Sequence, residues 1–228
     1  MTALRFRLIC FDLDGTLVDS HADIRTALAH AFGAVAPVDP ARDQGALDHA
    51  HRGLPLEELY TLSRSAQEPL AEDPAFRRFV DEYRAYYPDH LLDRTRPFAG
   101  VQETLEALQP LRAQGLRTAV ATTKRSDTAR RVVDGLGLGA YFDAVLGTDG
   151  IPHKPAPDLL HLAARTVDRR EGEGLMVGDT DRDLLAGRAA GMATCGVTWG
   201  GLGAAGLLPH DPDYLIDRFA DLLAILGR

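Results

Sequence analysis

The chain has 228 residues, 45% of them hydrophobic and 25% charged, with 22 glycines and 13 prolines. That is an ordinary globular composition, long enough to bury a core without staples and long for one bare domain, and it excludes disorder and low-complexity repeats. A formal net charge of −8 argues against nucleic acid and an anionic membrane as partners.

In chain order, the first predicted element is a strand over Arg7–Phe11, a short apolar run closed by Asp12-Leu13-Asp14-Gly15. From Val18 to Leu92 the apolar spacing turns helical, as in Ile24-Ala27-Leu28-Ala31, Leu56-Leu59-Tyr60 and Phe76-Phe79-Val80-Tyr83. Pro37, Pro40, Pro69, Pro74 and Pro88 divide that stretch into several helices. It holds seven arginines, no lysine and thirteen acidic residues, so it carries most of the negative charge. Helices and strands then alternate. Helices are predicted over Val101–Gln114, Thr128–Leu136, Pro157–Val167, Asp181–Ala190 and Phe219–Leu226. Strands are predicted over Leu116–Ala121, Ala144–Leu146, Leu175–Val177, Ala193–Val197 and Tyr214–Ile216.

This pattern specifies an α/β fold: a doubly wound, Rossmann-like parallel-sheet core with an inserted all-helical cap domain. Residues 1–17 and 93–228 are assigned to the core and 18–92 to the cap. The longest apolar runs are far below the roughly 18 residues a membrane helix needs, and Arg5, Arg7 and Asp12 break up the only signal-like stretch. Cys10 and Cys195 sit in apolar strands and read as buried reduced thiols of a cytoplasmic protein.

Functional residues in such sheets lie beyond the carboxyl ends of the strands. The first strand ends in Asp12 and Asp14, the Leu116 strand in Thr122-Thr123-Lys124, and the Leu175 strand in Gly178-Asp179-Thr180-Asp181, with Asp183 following. His153-Lys154-Pro155 comes after the Ala144 strand. Among 25 basic residues only Lys124 and Lys154 are lysine, and both fall on this edge. A lone Asp-Gly is a turn signal and a lone Asp a helix cap. Four carboxylates, a hydroxyl pair and both lysines at one edge are a site. Two other clusters are weaker. His49 and His51 are two apart and do not share a helix face, and His153 reads as a solvated loop residue.

Asp12-Leu13-Asp14-Gly15-Thr16-Leu17-Val18-Asp19 resembles the first motif of the haloacid dehalogenase superfamily. Thr122 matches its second motif, Lys154 its third, and Gly178-Asp179-Thr180-Asp181-Arg182-Asp183 its fourth. The resemblance covers essentially the whole chain. A helical cap directly after the first motif is similar to the phosphoglycolate phosphatase and β-phosphoglucomutase branch. Phe98-Ala99-Gly100-Val101, Lys154-Pro155-Ala156-Pro157-Asp158 and Val197-Thr198-Trp199-Gly200 look like its phosphatase side.

The resemblance implies a Mg²⁺-dependent phosphatase acting on a small phosphorylated metabolite, with 2-phosphoglycolate the first candidate. Phosphomutase and inorganic pyrophosphatase are the alternatives; oligomeric state stays open between monomer and dimer. Four carboxylates beside a phosphate dianion require a divalent cation, and an all-oxygen donor set favours Mg²⁺ over zinc. Asp12 is the implied nucleophile and Asp14 the acid and base. The implied metal ligands are Asp12, Asp14 through its main-chain carbonyl, and Asp179, with Asp183 orienting its neighbours. Thr122, Thr123 and Lys154 would hold the phosphoryl oxygens, with Lys154 packed between Asp12 and Asp179. Arg52, in the cap segment Arg52-Gly53-Leu54-Pro55, is a possible substrate contact, and Lys124 a contact to a distal substrate group or a solvated side chain. Relatives that cleave carbon–halogen bonds differ at Asp14, and phosphonate hydrolases add a cap lysine that this chain lacks.

Overall fold

The computed structural model describes residues 4–35, 40–64 and 69–226; Pro37, one of the predicted helix boundaries, lies outside them. The chain divides into two compact units, residues 1–19 with 96–228, and residues 20–95.

The first unit is built on strands β1 (Leu8–Phe11), β4 (Arg117–Ala121), β5 (Ala144–Leu146), β6 (Gly174–Gly178), β7 (Ala193–Val197) and β8 (Tyr214–Ile216). They form a six-stranded sheet in the order β5-β4-β1-β6-β7-β8, with every pairing parallel. The chain winds outward from β1 to β5, returns to the other side at β6, and winds outward again. The reversal opens a crevice beyond the carboxyl ends of β1, β4 and β6, where such sheets bind their ligands.

The central strands are apolar along their whole length because both faces are covered; β1 and β6 are buried at every residue. Alternation sends Leu8 and Cys10 to one face, where they join Leu159, Leu160, Ala163 and Met176 under helices α7 (Asp158–Thr166) and α8 (Asp181–Ala189). On the other face Phe11 meets the rings of Phe142 and Phe219 at 6.0 and 5.8 Å. Helices α5 (Val101–Arg112), α6 (Ser126–Gly135) and α10 (Leu222–Leu226) complete this unit's main helical cover.

Several predicted ends move by one to three residues. Two elements have no counterpart in the sequence reading: a short helix α9 (Gly203–Leu207) and a two-residue ribbon of β2 (Val18–Asp19) against β3 (Arg96–Pro97). The ribbon is antiparallel, pairing Val18 with Pro97 and Asp19 with Arg96. It adds the residues on either side of the insertion to the first unit, so that unit ends at 19 and resumes at 96 rather than at 17 and 93. The final predicted helix opens as a 3₁₀ turn, Phe219–Asp221, before α10.

The second unit contains α1 (His21–Gly33), α2 (Pro40–Asp48), α3 (Leu56–Ser63) and α4 (Pro74–Tyr86). Leu28, Phe32, Leu59, Tyr60, Phe76 and Phe79 form its core, with the Phe32 and Phe79 rings 4.6 Å apart. Its ends are tied together by Asp23, whose buried carboxylate accepts from the Arg94 and Thr95 backbone N–H groups and from Thr95 Oγ1. Burial works against that charge, but these hydrogen bonds outweigh it and hold the Asp23 carboxyl below its ordinary range.

Candidate active site

Asp12 continues β1 by one residue, its N–H donating to the Val177 carbonyl at 2.9 Å. The chain then closes a tight loop: Leu17 N–H reaches Leu13 O and Gly15 N–H reaches Val18 O, both at 2.9 Å. Gly15 has a φ of +87°, and a Cβ there would lie 2.3 Å from Asp179 Oδ2. Only glycine satisfies both conditions. From the same loop Thr16 Oγ1 donates to Asp179 Oδ1 at 3.0 Å.

Asp179 follows β6 and Thr180 caps α8. Thr180 and Asp183 form a reciprocal capping box, with Thr180 N–H and Oγ1 donating to Asp183 Oδ2 at 3.0 and 2.6 Å. The box turns Asp183 back toward the strand ends. Lys154 Nζ, 2% exposed, donates to Asp12 Oδ1 at 2.6 Å, Asp183 Oδ1 at 2.6 Å and the Ala121 carbonyl at 3.0 Å. Three N–H donors thus meet three acceptors. The expected packing of Lys154 between Asp12 and Asp179 is corrected: Asp183 takes that place. Asp179 is held from elsewhere, by Thr16 on one oxygen and by the Gly201 N–H on the other at 2.8 Å.

Asp12, Asp179 and Asp183 offer oxygens within 4.8 Å of one another, all buried. Burial, reinforced by Asp183 and Asp14 and opposed by Lys154, pushes the Asp12 carboxyl up to about 7. Burial and the neighbouring Asp12 and Asp183 charges also hold Asp179 well above the ordinary carboxylate range. Lys154 is raised as well, although burial disfavours its charge: Asp12 and Asp183 hold it more firmly protonated than a free lysine. Three carboxylates against one ammonium leave an excess of two negative charges. A divalent cation would balance that excess, and each of the three carboxylates offers it one oxygen. The donor set is all oxygen, which suits Mg²⁺ rather than zinc.

Thr122 follows β4, is 1% exposed, and is fixed by its N–H to Leu146 O and by Thr148 Oγ1 on its carbonyl. Thr123 beside it is half-buried. Lys124 is not the solvated side chain that was one of its two readings: its Nζ pairs with Asp14 Oδ2 at 3.1 Å, and its side chain is 8% exposed. His153 is also less open than expected. It is half-buried, and its Nδ1 has no hydrogen-bond partner among the described residues. His49 Nδ1 bonds the Gly45 carbonyl of the preceding helix α2. Arg52 belongs to the second compact unit, where Gly53, at a φ of +61°, closes the turn before α3.

The sheet edge therefore brings together Asp12, Asp14, Thr122, Thr123, Lys124, Lys154, Asp179 and Asp183. Three contributors escaped the sequence reading: the Ala121 carbonyl, the Gly201 N–H, and Trp199, whose Nε1 donates to the Thr16 carbonyl at 3.1 Å. The first two are backbone groups with no signature letter. The third lay within Val197-Thr198-Trp199-Gly200, a segment noted for its resemblance rather than for a contact.

Residues 9–197 match the family described as haloacid dehalogenase-like hydrolase. The chain is 36% identical over 219 residues to the probable phosphatase IndB of Dickeya dadantii, covering 95% of this chain and 91% of that one. It is 33% identical over 228 residues to the pyrophosphatase PpaX of Bacillus velezensis, covering 100% and 99%. Among solved structures, a predicted phosphoglycolate phosphatase from Haemophilus somnus superposes with a TM-score of 0.80 at 30% identity, covering 97% of this chain and 98% of that one. With its motifs in order along one sheet edge, the chain belongs to the haloacid dehalogenase-like hydrolase family and is an enzyme of its phosphatase kind.

Proposed function

We propose that the protein is a Mg²⁺-dependent phosphatase that hydrolyses a small phosphate monoester through an aspartyl-phosphate on Asp12. The observation that carries this reading is the state of Asp12. One of its oxygens is pinned by Lys154, and the carboxylate sits in a buried cluster whose excess negative charge a divalent cation would offset, which lets a phosphate dianion approach it.

Asp12 attacks phosphorus in line with the leaving oxygen, and the phosphoryl group passes to its carboxylate. Asp14 gives its proton to the departing alkoxide, then takes one from the water that hydrolyses the acyl phosphate. Thr122 and Thr123 bind the phosphoryl oxygens, where charge is spread in the transition state, and Lys154 joins them by exchanging one of its three present bonds for a phosphoryl oxygen. Asp12, the Asp14 carbonyl and Asp179 would hold Mg²⁺, which supplies the positive charge that lets two anions meet. Asp183 positions Lys154, and Thr16 with Gly201 fixes the Asp179 carboxylate. Substrate choice is assigned to the helical insertion, and Arg52 is the first residue there to replace.

2-Phosphoglycolate is the first candidate substrate. Inorganic pyrophosphate is the second reading, favoured by the full-length similarity to PpaX. The test is phosphate release from 2-phosphoglycolate, sugar phosphates, nucleotides and pyrophosphate, with Mg²⁺ and with chelator. Metal-dependent release that disappears in Asp12→Asn supports the proposal; undiminished release in chelator refutes it.

A further inference from the structure

We propose that Lys124 is a specificity-determining residue, which selects substrates whose leaving group carries a second anionic group close to the scissile oxygen. The inference rests on the phosphatase reading and narrows its substrate class.

Lys124 is one of two lysines in a chain that otherwise writes its positive charge as arginine. The other, Lys154, has its three donors occupied by Asp12, Asp183 and Ala121. Lys124 has a different neighbour: its Nζ is 3.1 Å from Asp14 Oδ2. Its backbone is not free to wander. The Lys124 N–H donates to Thr122 Oγ1 at 3.2 Å, and its carbonyl accepts from Thr148 N–H at 3.0 Å. The loop after β4 thus delivers a compact cation to one fixed place, and arginine's broad fork would not fit it equally.

That place is defined by Asp14. An acid that protonates the leaving oxygen must lie within about 3 Å of it, which puts Lys124 Nζ within about 6 Å of the same atom. Whatever the leaving oxygen is attached to is therefore within reach of both Asp14 and Lys124. A neutral alcohol draws nothing from the lysine. A second anion there is met by the Lys124 ammonium, an attraction that a neutral group does not share. The carboxylate of 2-phosphoglycolate and the second phosphoryl group of pyrophosphate share this chemistry, so one residue would account for both substrate readings.

The test compares 2-phosphoglycolate with 2-hydroxyethyl phosphate, in which a neutral CH₂OH replaces the carboxylate. Wild type is expected to favour 2-phosphoglycolate by at least tenfold in kcat/KM, chiefly through KM. In Lys124→Met that preference should collapse toward unity. A loss shared by both esters reports on Asp14 and cancels in the ratio. A wild-type preference below twofold overturns the proposal without any variant, as does a ratio kept within twofold in a folded Lys124→Met protein. In either case phosphatase activity itself stands. Failure of wild type to release phosphate from any member of the wider panel removes both this inference and the reading beneath it, whereas activity confined to the other members removes this inference alone.

Discussion

The two units of the molecule treat buried carboxylates in opposite ways. In the helical unit Asp23 is held by three donors from Arg94 and Thr95, Asp43 by Arg64 and Ser63, and Asp73 by the Ala75 and Phe76 N–H groups at the start of α4. Each buried charge there has its own donors beside it. At the sheet edge Asp12 and Asp183 share a single ammonium, Asp179 beside them is held by neutral donors, and two of the three are held above their ordinary pKa range. Buried charge that is balanced locally maintains a fold, whereas buried charge left in excess is poised for a ligand.

The strongest way to break this contrast is Asp12→Asn. Turnover should fall by on the order of 10⁴ or more, while the thermal midpoint of the metal-free protein stays level or rises because one unbalanced charge is gone. A lower midpoint would mean that the cluster is structural. Lys154 comes next. Lys154→Met leaves Asp12 and Asp183 without their ammonium and should destabilise the protein by about 3–5 kcal/mol in denaturant titrations. Lys154→Arg keeps the charge but misplaces it, and kcat should drop on the order of 10²-fold with normal folding.

The pH dependence sharpens the contrast further. For Asp12 the folded value of about 7 lies above the ordinary 3.8, so over that window the folded state holds a proton the unfolded chain has lost. Metal-free protein should therefore lose stability as pH rises from about 4 to 7, and the raised Asp179 adds to the loss in the same direction. Saturating Mg²⁺ should flatten that slope, since it pairs the carboxylates; denaturant titrations at several pH values with and without chelator read this directly. Asp23 carries the opposite sign and the smallest effect. Its depressed pKa contributes stability above about pH 3.9, lost as pH falls through the folded value. Asp23→Asn should cost about 2 kcal/mol near neutrality and progressively less in acid, when followed by the same titrations.

The sheet was legible because its central strands are uninterrupted apolar runs, and the edge because each run ends in polar residues of one chemistry. Leu8–Phe11 followed by Asp12 and Asp14 needs no alignment to be noticed. The β2–β3 ribbon was not legible: two residues per strand carry no periodicity, and Pro97 argues against a strand. α9 was lost for a similar reason, since Gly203-Ala204-Ala205-Gly206-Leu207 has only one large apolar residue. Within the site, residue types were readable but partners were not. The choice of Asp183 over Asp179 for Lys154 follows from the Thr180 capping box, a three-dimensional fact. The Gly201 N–H and the Ala121 carbonyl are available from any residue, so no letter marks them.

The Val18–Pro97 and Asp19–Arg96 pairings carry a consequence for how such an insertion can be accommodated. Bringing together the ends of a loop of about 75 residues costs an unfolded chain about 4 kcal/mol in entropy. Here the helical unit bears that cost itself, because Asp23 near its start grips Arg94 and Thr95 at its end. The sheet is then asked to accept only two adjacent chain ends, already spaced for a ribbon. A folded insert of almost any internal design could be exchanged at Asp19 and Arg96 without disturbing β1 or the motif that follows it. New substrate preferences could thus be tried on an unchanged reaction centre.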